Sequence, residues 1–427
     1  MPVRFCGIYV FFQLITLASL AQPIENIRVP FIRTIQLFPQ GNQLGYPVYS
    51  LQNGGRLALE FDDMDGGFKN YYYTYQLCDY QWKPANLTAF DYIKGFTQQK
   101  VSTYRFSTIA FKRYTHYQVL FPESNMLPTR SGNYLLKVFL DGDTSKTVFT
   151  KPFLVLDAKA GISAQIVQPF TPQKFNTHQR IRFTANIKNI NSFSPAQQIK
   201  AVILQNNRWD QAQISIPPTY VRGNSLEYNS EQVGVFPGGK EWRWLDLRSF
   251  RLFSDRVAEG KYGPDTAALI LKTDKDRSGV RYMYYSDFNG MYQLENWDNV
   301  NPFWQSDYAR IRFSFQTNEG GPFRGKELYL IGGLTDYQLL EKWKMQYDAE
   351  ADLYWLDVPL KQGFYNYSYV LLDRNNPVER QQLDGDYWET ENQYTILIYY
   401  KSLTDRNDQL IGMSTIRSRA DQPGIIF

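Results

Sequence analysis

Apolar and polar residues alternate with a period of two along most of this chain. Such alternation is typical of β-strands, because successive side chains point to opposite faces of a sheet. Gly, Asn, Asp and Pro separate the alternating segments. We expect strands at 56–61, 116–121, 134–140, 147–156, 180–187, 199–204, 242–246, 268–272, 281–285, 311–315, 327–331, 353–359, 364–372 and 394–400. No helical pattern separates them, which predicts an all-β protein of antiparallel sheets.

The strand series falls into three parts. A polar break follows the strand expected at 147–156, and an aromatic linker, NPFWQSDY, occupies 301–308. At roughly 150 residues per domain, a chain of this length holds two or three domains. We therefore predict tandem immunoglobulin-like antiparallel β-sandwich domains at 22–157, 158–300 and 301–427.

The first 21 residues have the pattern of a cleavable signal peptide. Arg4 precedes a mostly apolar stretch that ends at Leu20, and Ser19 and Ala21 are small residues at the positions that a signal peptidase reads. We expect cleavage after Ala21 and export from the cytoplasm. Beyond this segment no stretch is long and apolar enough to predict a transmembrane helix.

Charge argues against nucleic-acid binding, and the cysteine content leaves one cysteine in the mature chain. Cleavage would remove Arg4 and lower the net charge from +4 to +3, and the basic residues form no concentrated face, so we expect no nucleic-acid partner. Cleavage would also remove Cys6 and leave Cys78 as a lone cysteine. Within its aromatic strand pattern, we interpret Cys78 as a buried apolar residue.

The sequence predicts no catalytic residue, cofactor site or metal site. His116 and His178 lie far apart in the chain, with no cluster of the kind that zinc or a nucleophile requires. We interpret the acidic run FDDMDGG, at 61–67, as a solvated turn because glycines follow it. The run DKDRSG, at 274–279, starts like a calcium loop but has Tyr285 where the bidentate glutamate belongs.

Aromatic residues are in excess, with 32 Tyr, 29 Phe and 9 Trp. The run YYYTYQLCDYQWKP, at 71–84, places Tyr71, Tyr73 and Tyr75 on one face of a strand and Tyr72 on the other. Such rings pack in a core or supply rigid contact area for a partner, and the run itself allows both. The excess favours a binding protein over an enzyme.

Four motifs in the first 157 residues carry a family resemblance. They are LFPxGNQLxxP at 37–47, YYYTYxxCDxxWKP at 71–84, YTHYxxxFP at 114–122 and SGNYLLKVFxDGD at 131–143. With these motifs the N-terminal part resembles the type IX secretion system plug proteins of Bacteroidetes. The order and length of the remaining chain fit the same family.

The resemblance implies a non-enzymatic role in the periplasm, on the inner side of the outer membrane. Members of the family associate with the large outer-membrane translocon barrel of the SprA type and close its periplasmic opening when no substrate is crossing. A plug needs a broad, rigid contact face of at least about 1,000 Å². We expect exposed rings of the first domain to contribute to it, with Tyr72 and Trp82 as the candidates.

An alternative function comes from the C-terminal third. The run ELYLIGGLTDY and the strands after it, up to Asp373, are similar to the sandwich modules that bind starch and glycogen. That resemblance implies a periplasmic or cell-surface glycan-binding protein, in which Trp343 and Trp355 stack on sugar rings. Sugar affinity separates the two functions, because a plug should have none.

Overall fold

The computed structural model describes residues 26–419, apart from 28, 109, 111, 264, 265, 299 and 377–379. Within these ranges the chain is nearly all β, which confirms the predicted fold class. The helices there are one short α-helix, Pro195–Gln198, and the 3-10 turns Ala89–Asp91, Pro172–Lys174, Gly333–Thr335 and Glu341–Trp343. No described helix has the length and hydropathy needed to cross a membrane. The predicted signal peptide, 1–21, lies outside the described residues.

The N-terminal sandwich is built from the first twelve strands. These are β1 (Asn26–Ile27), β2 (Ile32–Pro39), β3 (Val48–Ser50), β4 (Leu57–Asp63), β5 (Tyr71–Cys78), β6 (Ile93–Gly95), β7 (Gln99–Lys100), β8 (Thr103–Phe106), β9 (Thr115–Phe121), β10 (Met126–Pro128), β11 (Gly132–Leu140) and β12 (Thr147–Leu156). One sheet has the order β1-β12-β11-β5-β7, with β3 parallel to β12. The facing sheet has the order β2-β4-β9-β8, and β6 pairs with β10 as a separate ribbon.

The period-two pattern of β5 explains the core of this sandwich. Tyr71, Tyr73 and Tyr75 are at most 1% exposed and point at the facing sheet. There Phe61 of β4 meets Tyr71 edge to face, with ring centroids 5.2 Å apart. Each such aromatic pair adds about 1 kcal/mol to the stabilisation from buried area alone. Three of the six aromatic rings in the run therefore serve this core, as one of its two interpretations predicted.

The middle sandwich combines strands from two distant parts of the chain. Its first strands are β13 (Gly161–Val167), β14 (His178–Asn186), β15 (Ile199–Gln205), β16 (Arg208–Ile216), β17 (Tyr220–Arg222), β18 (Ser225–Tyr228) and β19 (Val235–Pro237). One sheet has the order β13-β14-β18-β17, with β19 beside β14. The facing sheet pairs β15 with a strand close to the end of the chain, Gln393–Tyr400, over seven residue pairs.

The third sandwich lies between those two parts in sequence. Its strands, and the two that return to the middle sandwich, are β20 (Arg243–Asp246), β21 (Val257–Tyr262), β22 (Ala267–Leu271), β23 (Asp274–Lys275), β24 (Tyr292–Gln293), β25 (Tyr308–Gln316), β26 (Lys326–Ile331), β27 (Gln346–Asp348), β28 (Leu353–Lys361), β29 (Phe364–Asp373), β30 (Arg380–Gln382), β31 (Gln393–Tyr400) and β32 (Gln409–Arg417). One sheet is β20-β29-β24, with β26 and β30 also on β29; the facing sheet is β21-β22-β25-β28-β27.

The strand pairing differs from the predicted division into 158–300 and 301–427. Strands β20 to β24 lie in the sheets of the third sandwich, whereas β31 and β32 complete the sheet β16-β15-β31-β32 of the middle one. Period-two alternation predicts strands but carries no information about partners far apart in the chain. The first predicted boundary, near 157, does coincide with the end of β12.

One expected strand, at 281–285, does not form. Tyr285 instead donates its hydroxyl to the carbonyl oxygen of Trp242, 2.9 Å away, and Tyr282 donates to the Glu241 carboxylate at 2.6 Å. Both rings are thus held by side-chain hydrogen bonds to the segment before β20. Such tertiary contacts override the local β propensity of the run.

The pairing of β15 with β31 predicts a consequence of truncation. A chain ending at residue 390 loses β31 and β32, so β15 loses one of its two neighbours and the buried Ile396 and Ile398 leave the core. We expect faster cleavage by trypsin within 158–240, measured by limited proteolysis and mass spectrometry. A chain ending at residue 419 is the control, and equal protection of both chains would contradict the pairing.

Candidate protein-binding surface

Tyr72 is half-buried on the outer face of β5, opposite the core tyrosines. Its ring stacks on Phe139 of β11, with centroids 6.3 Å apart and an interplanar angle of 20°. Across the sheet it pairs with Lys100 of β7, the last strand on that side. Tyr72 therefore lies next to the last strand of its sheet, close to the edge of the sandwich.

Aromatic contacts extend this surface to the facing sheet. The Lys100 ammonium lies 5.4 Å from the ring centre of Phe68, and the Phe68 ring lies 4.9 Å from Tyr104 of β8. Phe68 is 47% exposed and Tyr104 is 38% exposed. Phe68, Tyr72, Lys100 and Tyr104 together form a surface, called the Tyr72 surface below, and the buried Phe139 packs against Tyr72 beneath it.

Trp82, the second predicted contact residue, lies elsewhere. Its backbone has a φ of 67°, in the turn after β5, and its ring meets Trp209 of β16 edge to face at 5.0 Å. Around this pair, Leu154, Val202 and Leu397 form an apolar cluster between the N-terminal and middle sandwiches. Trp82 is therefore engaged within the molecule, in a contact that joins two sandwiches.

A buried polar cluster joins the N-terminal sandwich to the third one. Asp62 of β4 accepts hydrogen bonds from Lys361 of β28 and Tyr308 of β25, each at 2.5 Å. Its other oxygen lies 2.7 Å from the His116 ring, whose second nitrogen lies 2.7 Å from Glu60. We call these five residues the Asp62 cluster; each is buried.

The Asp62 cluster corrects one interpretation of the sequence. Asp62 and Asp63 are not part of a solvated turn, because they end β4 and are at most 1% exposed. The alternation of Glu60 and Asp62 on the non-core face of an apolar strand was the available signal. Their partner Lys361 comes from a distant strand, which the sequence pattern does not specify.

Burial and pairing act in opposite directions on the pKa values of the Asp62 cluster, and for Lys361 burial outweighs the charge of Asp62 and lowers the pKa. Burial by itself lowers the pKa of His116, but hydrogen bonds to Asp62 and Glu60 outweigh it and raise that pKa above 6.5. Burial by itself raises the pKa of Asp62, but the charge of Lys361 and the hydrogen bond from His116 hold it below 3.8. The folded state therefore favours charged Asp62 and protonated His116.

Asp274, in the run that starts like a calcium loop, is a buried structural residue. Arg243 donates to it at 2.9 Å, and the hydroxyls of Tyr367 and Tyr369 donate at 2.8 and 2.9 Å. The carboxylate oxygens of Asp274 thus accept hydrogen bonds from protein side chains and are not arranged around a metal ion. Within the described ranges, no three His, Cys, Asp or Glu side chains converge in a way that suits a metal ion.

Each tryptophan proposed to stack on sugar lies next to a positively charged side chain. The Arg312 guanidinium lies 4.8 Å from the ring centre of Trp355, and the Lys342 ammonium lies 4.8 Å from that of Trp343. Trp343 also packs against the apolar clusters of the third sandwich. This geometry does not favour the glycan function over the plug function.

Cys78 is buried at the end of β5, as predicted. Burial raises the pKa of its thiol to about 12. A thiol with so high a pKa is protonated at neutral pH and unreactive as a nucleophile. Cys78 therefore contributes to packing.

Comparison with known families agrees with the motifs of the N-terminal sandwich. Residues 32–157 match the family model of the type 9 secretion system plug protein 1st domain. The match begins at β2 and ends just after β12, so it spans nearly all of the sandwich that carries Tyr72. The fold and this match define an all-β protein whose N-terminal domain is of the plug type. The similarity to type 9 secretion system plug proteins thus covers the N-terminal domain, residues 32–157.

Among solved structures, a hypothetical protein from Parabacteroides merdae has the same fold. It is 28% identical, with a TM-score of 0.87, and the alignment covers 92% of this chain and 98% of that one. Dimeric latent PorU from Porphyromonas gingivalis aligns at 9% identity over 91% of this chain and 34% of that one. Its TM-score of 0.15 is too low to indicate structural similarity. None of the curated proteins compared with this sequence matches it.

Breaking the Asp62 cluster should destabilise the protein. Lys361→Met leaves Asp62 buried without its strongest cation, and we expect the free energy of unfolding to fall by about 3 kcal/mol. The measurement is urea unfolding followed by tryptophan fluorescence. Asp62→Asn combined with Lys361→Met should recover part of the loss, because no unpaired charge remains. Lys272→Met, at an exposed lysine, is the control, and an equal effect of both single variants would contradict the role of Lys361.

The stability that His116 contributes should depend on pH. Because its pKa is raised on folding, the contribution is fully present below pH 6.5 and is lost as the pH rises through the raised value. The measurement is the difference in unfolding free energy between the wild type and His116→Gln across this range. We expect the difference to shrink towards alkaline pH; a difference that grows there would contradict a protonated His116.

Proposed function

We propose that this protein is a non-enzymatic plug subunit of the type IX protein secretion system. It binds the periplasmic opening of the large outer-membrane translocon barrel, of the SprA type, and closes that opening when the barrel is idle. It works in the periplasm, on the inner side of the outer membrane, after export by the signal peptide at 1–21. The observation that carries the proposal is the family match over 32–157.

The architecture suits a stopper. The N-terminal and middle sandwiches share the apolar cluster around Trp82 and Trp209, and the N-terminal and third sandwiches share the Asp62 cluster. The middle and third sandwiches are connected through the insertion between β19 and β31. Because these contacts fix the three sandwiches relative to one another, binding to the barrel does not incur the entropic cost of ordering loose domains.

The Tyr72 surface is the proposed contact with the barrel. Tyr72 and Phe68 present rigid aromatic area at low side-chain entropy cost, and Lys100 adds a charge between them. This surface lies within the segment that matches the plug family. Trp82 supports the contact indirectly, by holding the N-terminal sandwich against Trp209.

Purification of the tagged protein from native outer membranes tests the function directly. We expect the translocon barrel to co-purify and to be identified by mass spectrometry. Cells that lack the protein should take up a dye that does not normally cross the outer membrane, because their translocons stay open. Recovery of the protein without the barrel, together with unchanged dye entry, would refute the proposal.

Tyr72→Ala should weaken capture of the barrel by about tenfold, because truncating an interface aromatic costs 1 to 2 kcal/mol. The measurement is the amount of barrel recovered with the tagged protein at equal loading. Tyr220→Ala is the matched control, since Tyr220 is a 54% exposed tyrosine on a strand of the middle sandwich. Undiminished recovery with Tyr72→Ala would remove this ring from the interface. Trp82→Ala is compared separately, because it also alters packing between sandwiches.

A further inference from the structure

Strand β8 is an exposed edge of the N-terminal sandwich. It follows β9 at the end of the sheet order β2-β4-β9-β8, and all four of its residues are exposed. An open strand edge is a template for pairing with another strand unless it is covered or blocked. This edge adjoins the Tyr72 surface through Tyr104, which contacts both Phe68 and Phe106.

The register shows which backbone groups face outward. Ser107 donates its amide to the Tyr114 carbonyl, and Arg105 lies opposite His116 two residues further along. In an antiparallel ladder, hydrogen-bonded pairs alternate with non-bonded ones. The N–H and C=O groups of Tyr104 and Phe106 therefore point away from β9, towards the open edge.

The edge is basic. Between residues 92 and 122 the chain contains no Asp or Glu, and its basic residues there, besides the buried His116, are Lys94, Lys100, Arg105, Lys112 and Arg113. Two of these side chains lie against aromatic rings, Lys100 on Phe68 and Arg105 on Trp304 at 5.5 Å. Arg105 lies on β8 itself, and Lys100 lies over the Phe68 ring that contacts Tyr104, so both charges are near the edge, where they attract carboxylates.

We propose that β8 binds an extended acidic segment of another protein, which adds to the sheet as a further strand. Outward N–H and C=O groups supply the main-chain hydrogen bonds, as in other cases of strand addition. The basic residues select a segment that alternates acidic and apolar positions, with its apolar side chains on Tyr104 and Phe106. This proposal rests on the proposed function in one respect: the segment belongs to the translocon.

Two other occupants fit the edge less well. A lipid surface would satisfy the basic and aromatic side chains but would leave the outward backbone groups of Tyr104 and Phe106 without partners. A second copy of this chain would bring Arg105 and its neighbours against the same positive charges, and like charges across a ladder are destabilising. An acidic polypeptide strand satisfies the backbone and the charges together.

A synthetic peptide tests the chemistry of the edge without the translocon. The probe alternates glutamate and valine, and the comparison peptide alternates lysine and valine. By calorimetric titration we expect the full-length protein to bind the glutamate peptide at least about tenfold more tightly. Amide hydrogen exchange at Tyr104 and Phe106 should slow when the glutamate peptide binds.

Two substitutions at one position separate charge from structure. Phe106→Glu places a carboxylate on the edge and should bind the peptide about tenfold or more weakly than Phe106→Lys, which loses the same ring but keeps the edge basic. Val221→Glu is the control, because Val221 lies on β17, another exposed edge strand. Unaltered thermal unfolding of all three variants shows that folding is intact.

Several results would overturn the proposal. They are equal binding of both peptides, undiminished binding by Phe106→Glu, unprotected amides at Tyr104 and Phe106, self-association through β8, or binding to phosphatidylglycerol vesicles with none to the peptide. A pull-down of the translocon distinguishes this proposal from the proposed function. If the wild type and Phe106→Glu recover the barrel equally, β8 is not the contact with the barrel, and the plug function stands. If the wild type recovers no barrel but binds the peptide, the plug function fails, and β8 remains a strand-binding site.

Discussion

A carboxylate buried between two sandwiches constrains how this protein is assembled. Asp62 is at most 1% exposed, and its oxygens receive donors from β9 in its own sandwich and from β25 and β28 in another. An uncompensated charge at such a site costs several kcal/mol, so the relative position of the two sandwiches is fixed by the need to keep these donors in place. The Tyr114 hydroxyl, which donates to the Ser306 carbonyl at 2.8 Å, strengthens the same contact.

A second constraint comes from chain topology. The third sandwich is inserted between β19 and β31 of the middle one, so both ends of the insertion are anchored in the same pair of sheets. Tyr399 of β31 also donates to the Asn133 side chain of β11, 2.7 Å away, which ties the middle sandwich to the N-terminal one. The three sandwiches thus support one another, and the exposed rings of the N-terminal sandwich are presented on a stiff base.

The run at 71–84 shows how far sequence reasoning extends to the candidate site. Alternation correctly separates the face of Tyr72 from the face of Tyr71 and Tyr73, because strand geometry is local. The same reasoning named Trp82, with Tyr72, as a candidate exposed ring of the first domain, whereas in the structure Trp82 packs on Trp209. Which outward rings stay accessible depends on the neighbouring sandwich, and no local pattern specifies it. The open edge of β8 was missed for the same reason.

The sequence by itself determined the all-β class, the strands of the core and the family motifs of the first domain. Each of these depends on local spacing: a period of two fixes which side chains share a face, and consecutive residues form the motifs. Only the tertiary structure decided that β31 pairs with β15, that Lys361 compensates Asp62, and that β8 remains at an open edge. Those features join residues far apart in the chain, and their partners are selected by shape and charge when the sandwiches pack, which the order of residues along one strand does not encode.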